Sequence, residues 1–258
     1  MQKKILSFLI NNLRKKINLE NSKVKNKIIL KSKNKYFVDP ITKYDLKIEK
    51  IIRKEIVKKF PDHEISGEEV GDKKGNSNYK WIIDPIDGTK ALLIGQPTWS
   101  NLIGILNDSK PIYSFANFPI LKKYYYSDDK NTFLVFKKKK KRIKTSKVTV
   151  LKRAKIVTNS IHTLCNKKIY NIFKDYKYFF KISGCDAYNY CLLAEGKIDI
   201  IIEAGLKQHD ILPLIGIIKK AGGNITNWSG GEDIKNGSII VSSNFKLHKR
   251  FLSLIKNF

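Results

Sequence analysis

The string Trp81-Ile82-Ile83-Asp84-Pro85-Ile86-Asp87-Gly88-Thr89 is the strongest constraint on what this chain can become. An apolar run that reads as a buried strand stops at two aspartates three positions apart, and a proline between them fixes the bend. At such a strand end both carboxylates converge on one point, and the Ile86 carbonyl points the same way. Hard oxygen donors in this arrangement suit Mg²⁺, which prefers carboxylates together with retained waters. Gly88 and Thr89 then open a helix whose free N–H groups can receive a phosphate. An isolated Asp-Pro-Ile would be only a turn with solvated aspartates. The strand before it and the helix after it make the metal-and-phosphate reading the better one.

Further carboxylates lie at element ends. After Pro40, Thr42 caps a predicted helix with Asp45 three residues on, and Ile48, Ile51, Ile52 and Ile56 recur at helical spacing until Pro61. Asp45 fits a capping-box acid and a site acid equally well. A polar loop over 61–78 carries Glu68 and Glu69. Trp99 to Leu106, Ile112 to Asn117, Tyr124 to Tyr126 and Phe133 to Phe136 read as successive strands. Strands and helices then alternate: Ile156 to Thr158, a helix from Ile161 to Phe173, Phe179 to Ile182, and a helix from Ala187 to Ala194. Ile198 to Glu203 follows, then a helix from Ile211 to Ala221 ended by Gly222-Gly223, a strand from Ser238 to Val241 and a C-terminal helix. Asp210 and Asp186 each sit where an N-cap belongs, which metal or ligand binding does not exclude. The pattern predicts an α/β layered sandwich, with two sheets alternating with helix layers. It forms a single compact domain over 1–258, with approximate halves 1–145 and 146–258.

Composition narrows the partners. Fifty-one Lys plus Arg against 23 Asp plus Glu leave a net charge of +28, enough to raise nucleic-acid binding as a reading. The lysines are spread along the whole chain beside abundant Ile and Asn, as a coding bias would produce. Only Lys137 to Arg142 forms a dense block. The charge is therefore read as steering anionic substrates, with nucleic acid not the main partner. No run approaches the roughly 20 apolar residues that cross a bilayer. Ile5 to Ile10 is short for a signal peptide; an amphipathic first helix with Leu6, Leu9, Ile10, Leu13 and Ile17 on one side fits better. Cys165, Cys185 and Cys191 have no metal-like spacing and suggest reduced thiols and a cytoplasmic location.

Four motifs occur in order: Pro40-Ile41-Thr42 with Asp45, Gly67-Glu68-Glu69, Asp84 to Thr89, and Glu203 to Asp210, the last followed by Ala221-Gly222-Gly223. Over about residues 36 to 231 the chain resembles the inositol monophosphatase superfamily, which includes nucleotidases and a histidinol-phosphatase branch. The first 30 residues match the family's opening helix poorly. The resemblance implies metal ligation by Glu68, Asp84, Asp87, Asp210 and the Ile86 carbonyl, with two or three Mg²⁺. It also implies water positioning by Asp45 and Thr89, with Glu68 beside them, and phosphate binding at Gly88 and Thr89. The reaction implied is direct attack of metal-activated water on a small phosphate monoester, in an enzyme often dimeric. No phosphoenzyme route through Ser or Cys is expected.

Three stretches are similar to the histidinol-phosphatase branch: Gln96 to Trp99 with Leu102 to Ile105, Ile225 to Gly231, and Cys185 to Tyr190. Histidinol phosphate carries an ammonium group and an imidazole, so an acidic pocket would recognise it. Asp186 and Glu203 are the candidate contacts. Inositol monophosphatase and 3′-phosphoadenosine 5′-phosphate nucleotidase activities are the alternatives within the family, and a basic nucleic-acid-binding protein on the same scaffold is the alternative outside it.

Overall fold

In the computed structural model, described for residues 1–24, 29–32, 40–158, 171, 177–181 and 186–256, helices α1 (Gln2–Phe8) and α2 (Arg14–Asn21) are joined by a π turn, Leu9–Leu13. Strands β1 (Ile29–Ser32) and β2 (Pro40–Thr42) pair ahead of α3 (Lys43–Lys59). There follow β3 (Glu64–Gly67), β4 (Gly71–Lys73), β5 (Tyr79–Asp87) and α4 (Thr89–Ile94). Strands β6 (Ser100–Asn107), β7 (Lys110–Phe118), β8 (Lys123–Ser127), β9 (Thr132–Phe136) and β10 (Lys139–Ile143) form a meander. The second half contains β11 (Ile156–Thr158), β12 (Phe179–Lys181), α5 (Asp186–Ala194), β13 (Ile200–Glu203) and α6 (Gln208–Ala221). It ends with β14 (Asn224–Asn227), β15 (Ile239–Ser242) and α7 (Phe245–Lys256).

An eight-stranded sheet runs β10-β9-β8-β7-β6-β5-β3-β4, and a five-stranded sheet runs β12-β11-β13-β15-β14. Side chains alternate faces along a strand, and that alternation sorts the core into layers. Ile103, Ile105, Tyr113 and Phe115 of β6 and β7 face a core shared with Leu9, Leu13, Ile48 and Ile52 of the N-terminal helices. Leu102, Ala116 and Phe118 face the opposite way, onto Leu214 and Ile218 of α6 and Val157, Ile201 and Val241 of the second sheet. Ile200, Ile202 and Ile240 turn to the far side, against Leu247 and Phe251 of α7. The result is helix, sheet, helix, sheet, helix: the α/β layered sandwich expected.

Helix α6 ties the halves together. Gly104 lets it approach, because a Cβ there would lie 2.9 Å from Pro213 Cα. Ser114 Oγ accepts from the Gly216 N–H at 2.9 Å, and the Thr132 hydroxyl donates to the Ile217 carbonyl at 2.8 Å. This seating brings the start of α6 beside the end of β5.

Two sequence expectations change. The loop expected over 61–78 contains β3 and β4; β3 pairs in parallel with β5, burying only Ile65 fully, a single apolar residue too weak to announce a strand. In the first helix the buried stripe is Ile5, Phe8, Leu9, Leu13 and Ile17, with Leu6 and Ile10 half-buried. The π turn inserts extra arc and rotates the face. The basic block Lys137 to Arg142 is the turn and edge strand of the β9–β10 hairpin. The helix expected from Ile161 to Phe173 lies outside the described residues, Asn171 excepted, as do Cys165 and Cys185.

Candidate active site

Strand β5, packed by α3 and α6, delivers the Asp84 to Asp87 turn and leads into α4. Ladder pairing with β6 runs regularly to Asp84↔Leu102, shifts register, and resumes at Asp87↔Ser100. The break falls at Pro85, which has no N–H to give a ladder. Asn101 takes up the loose end: its Nδ2 donates to the Pro85 carbonyl at 2.7 Å, while its Oδ1 accepts from Asn21 and Asn117, each at 2.8 Å. Ser100 donates to Asp87 Oδ2 at 3.2 Å. Gly88 adopts φ 79°, ψ 44°, a left-handed conformation that lets the chain turn from strand into α4.

Thr42 and Asp45 form the capping box read from the sequence: the Thr42 N–H donates to Asp45 Oδ2 at 2.7 Å, and the Tyr44 N–H donates to Thr42 Oγ1 at 3.1 Å. Asp45 has a second role. Its Oδ1 lies 3.2 Å from Thr89 Oγ1, which is also 3.1 Å from the Ile86 carbonyl. Burial raises the Asp45 carboxyl above its usual range, against the hydrogen bonds from Thr42 and Thr89.

Glu68 follows β3, and its N–H donates to the Ile83 carbonyl at 3.1 Å. Its Oε1 stands 3.2 Å from His209 Nε2 and 3.3 Å from Lys207 Nζ. Asp210 Oδ2 accepts from the Lys207 N–H at 2.7 Å. Burial disfavours a protonated His209, but Glu68 and Asp210 outweigh it and hold the ring above its ordinary value. Asp210 is raised, chiefly by burial, with His209 opposing.

Asp84 lies at the centre. It is 1% exposed, and Oδ1 is buried with no hydrogen-bond partner. Burial, then Glu68, Asp87, Asp210 and Asp45, push its carboxyl well above the carboxylate range. The sequence thus brings Asp45, Glu68, Asp84, Asp87 and Asp210 into one electrostatic neighbourhood. Among the described residues no three of the His, Cys, Asp and Glu side chains stand close enough to hold one ion as placed. Glu68 is turned to Lys207 and His209, Asp87 to Ser100, and Asp210 to the backbone of its own helix. An orphaned buried carboxylate oxygen among four like charges nevertheless fits an oxygen-ligated divalent cation.

The substrate-side residues are placed differently. Glu203, at the end of β13, is fully buried, and its Oε2 accepts from the Tyr190 hydroxyl. Asp186 opens α5, but its side chain lies outside the described ones. Trp228 packs on the second-sheet core and donates from Nε1 to the Glu203 carbonyl at 3.0 Å.

Sequence reading missed the residues that hold the Glu68 turn. Glu49, fully buried in α3, accepts from the N–H groups of Glu69 at 2.8 Å and Val70 at 3.2 Å, and from Arg53 Nε at 2.7 Å. The available signal was an acid on the apolar stripe of Ile48, Ile52 and Ile56, with an arginine four residues later.

A family model described as "Inositol monophosphatase family" matches residues 1–257, so the likeness includes the N-terminal helices that the sequence reading left out. A chloroplast bifunctional phosphatase from Arabidopsis thaliana is 37% identical over 75% of this chain, which spans 56% of that relative's length. A fructose-1,6-bisphosphatase/inositol-1-monophosphatase from Aquifex aeolicus is 34% identical over 92% of this chain and 88% of its own. A histidinol-phosphatase from Mycobacterium tuberculosis is 29% identical over 83% and 84%. The solved Thermotoga maritima IMPase superposes with a TM-score of 0.83 at 25% identity, covering 100% of this chain and 98% of that one. With the layered fold, the acid-lined strand end and a family match over nearly the whole length, this chain belongs to the inositol monophosphatase family.

Proposed function

We propose that the protein hydrolyses a small phosphate monoester with Mg²⁺ held by Glu68, Asp84, Asp87, Asp210 and the Ile86 carbonyl, and that L-histidinol phosphate is its substrate. The observation that carries the metal reading is Asp84: a buried carboxylate with an unpartnered oxygen, within electrostatic reach of four other carboxylates. Bound there, the metal supplies Lewis acidity toward phosphate oxygens and lowers the pKa of water. The chain's own residues do the positioning. The single Thr89 hydroxyl proton is drawn to Asp45 Oδ1 or the Ile86 carbonyl. Its oxygen lone pairs are left to accept from a water. Asn101 and Ser100 hold the turn against recoil as charge enters. Gly88 and Thr89 face the phosphate from the start of α4.

The histidinol assignment rests on the three branch-like stretches and is supported by the Mycobacterium relative. One observation favours a neutral polyol instead. Glu203 is fully buried on Tyr190, which leaves Asp186 as the remaining candidate acid for an ammonium group. Inositol 1-phosphate is therefore the second reading. Phosphate release from L-histidinol phosphate, myo-inositol 1-phosphate and 3′-phosphoadenosine 5′-phosphate, with Mg²⁺ and with EDTA, decides between them. Mg²⁺-dependent preference for the first supports the assignment; preference for the second transfers it to inositol phosphates. No turnover of any overturns all three substrate assignments and reopens the nucleic-acid-binding alternative.

A further inference from the structure

A groove of about 710 Å³ lies away from the acidic turn, between the N-terminal helices, the β7–β8 turn and the tip of the β9–β10 hairpin. Five cations line it: Arg14, Lys122, Lys123, Lys137 and Lys138. No Asp or Glu is among the described residues lining it. Between the cations the lining is largely apolar, with Phe118, Pro119, Ile120 and Val135 beside the amides of Asn18, Asn21 and Asn117. Two of the cations are held in place. Arg14 donates to the Ile10 carbonyl at 3.1 Å and sits 4.4 Å over the Tyr124 ring. Lys123 Nζ donates to the Tyr188 hydroxyl at 2.7 Å.

The other three carry an unusual backbone. Lys122, Lys137 and Lys138 have φ of 52°, 48° and 63°, left-handed values that disfavour every residue with a Cβ. Asp108 and Ser109 are the other described non-glycine residues with positive φ. They close the β6–β7 hairpin with types that suit a turn. Lys137-Lys138 closes a two-residue hairpin of the same kind, where Asn-Gly would be the unstrained choice. Lysines in all three strained positions around one groove are not accounted for by turn chemistry. The edge-strand lysines Lys139 to Lys141 differ: charge on an exposed edge blocks sheet-to-sheet pairing.

We propose that this groove binds a compact oligophosphate, such as a nucleoside triphosphate or a short polyphosphate, at a site separate from the acidic turn. Several cations lining one groove without a carboxylate match a ligand bearing several negative charges, and the apolar Pro119 and Ile120 among them offer a surface for a base. The volume accommodates a triphosphate with room for a nucleoside.

Calorimetric titration of the full chain with tripolyphosphate and with ATP, at low salt in EDTA, tests this. Without metal the carboxylates of the turn repel anions, and comparison of two lysine variants separates the groove from the rest of the basic surface. Lys137→Asn/Lys138→Gly is expected to weaken binding about tenfold or more while raising Tm, because it relieves the turn. Lys58→Gln/Lys59→Gln, in the basic cleft between α1 and α3, is expected to leave affinity unchanged. Tighter binding of ATP than of tripolyphosphate assigns a nucleoside contact, and equal binding assigns the phosphates alone; both support the site. No binding, or equal losses in the two variants, overturns it. So does binding of a single-stranded oligonucleotide with neither compact anion bound.

Discussion

Glu49 Oε2 accepts a hydrogen bond from the backbone N–H of Glu69 at 2.8 Å, so a side chain of α3 holds the turn that presents Glu68. Arg53, one helical turn on, completes the pair at 2.7 Å. Glu49→Ala leaves a largely buried guanidinium and two N–H groups without their acceptor. The expected loss of stability is about 3 kcal/mol, read as a lower urea midpoint. If Glu68 is a ligand, the same variant needs more Mg²⁺ for half-maximal activity. An unchanged Mg²⁺ dependence in folded variant protein would separate Glu49 from the site.

Gly67 is the counterpart of that clamp. A Cβ at Gly67 would lie 2.0 Å from Glu49 Oε1 and 2.7 Å from Arg53 Nη2. Gly67→Ala is expected to destabilise by about 2 kcal/mol. Because the clash is with Glu49, the cost in a Glu49→Ala background falls, giving a coupling of about 1 kcal/mol or more. Simple additivity in a double-mutant cycle would show that the glycine is needed for something other than room.

How far these features can be read from sequence depends on whether the information is local. The Thr42–Asp45 cap, the strand into Asp84 and the helix α6 were legible, since each is written in adjacent residues. β3 was not, because its pairing with β5 supplies what a single buried Ile65 cannot. The rotated stripe of the first helix escaped because a π turn leaves no periodic mark. Glu49, Asn101 and the Lys137-Lys138 turn act through partners distant in the chain, or through a backbone conformation their residue types do not advertise. Four acids near Asp84 were legible as types. The contacts that turn Glu68 to His209 and Asp87 to Ser100 were not.

His248 should make stability sensitive to mild acid. It is 3% exposed between Thr226 Oγ1, 2.9 Å from Nε2, and Ser242 Oγ, 3.1 Å from Nδ1, and burial lowers its pKa to about 4. The unfolded chain takes up the proton near pH 6.5, whereas the folded chain refuses it until about pH 4. Stability from this group is therefore intact above pH 6.5 and is lost as pH falls toward 4, by about 3 kcal/mol in all. Urea midpoints across that window, for the native chain and His248→Gln, measure it. The variant should start lower at pH 7.5 and lose less on acidification; parallel curves would count against the assignment.

Asp84→Asn offers the sharpest separation of function from stability. At pH 8 without metal, the native Asp84 either ionises beside Glu68, Asp87, Asp210 and Asp45 or retains a proton against the solvent, and both states are costly. Asparagine carries no charge, and its amide can donate to the surrounding carboxylates. In EDTA the variant is expected to be more stable than the native chain by about 2 kcal/mol, while phosphatase activity is lost. Mg²⁺ should raise the urea midpoint of the native chain more than that of the variant, since binding stabilises only the state that holds the ion. If instead the variant is the less stable protein in EDTA, Asp84 is a structural acid with a partner, and the like-charge account of this site fails.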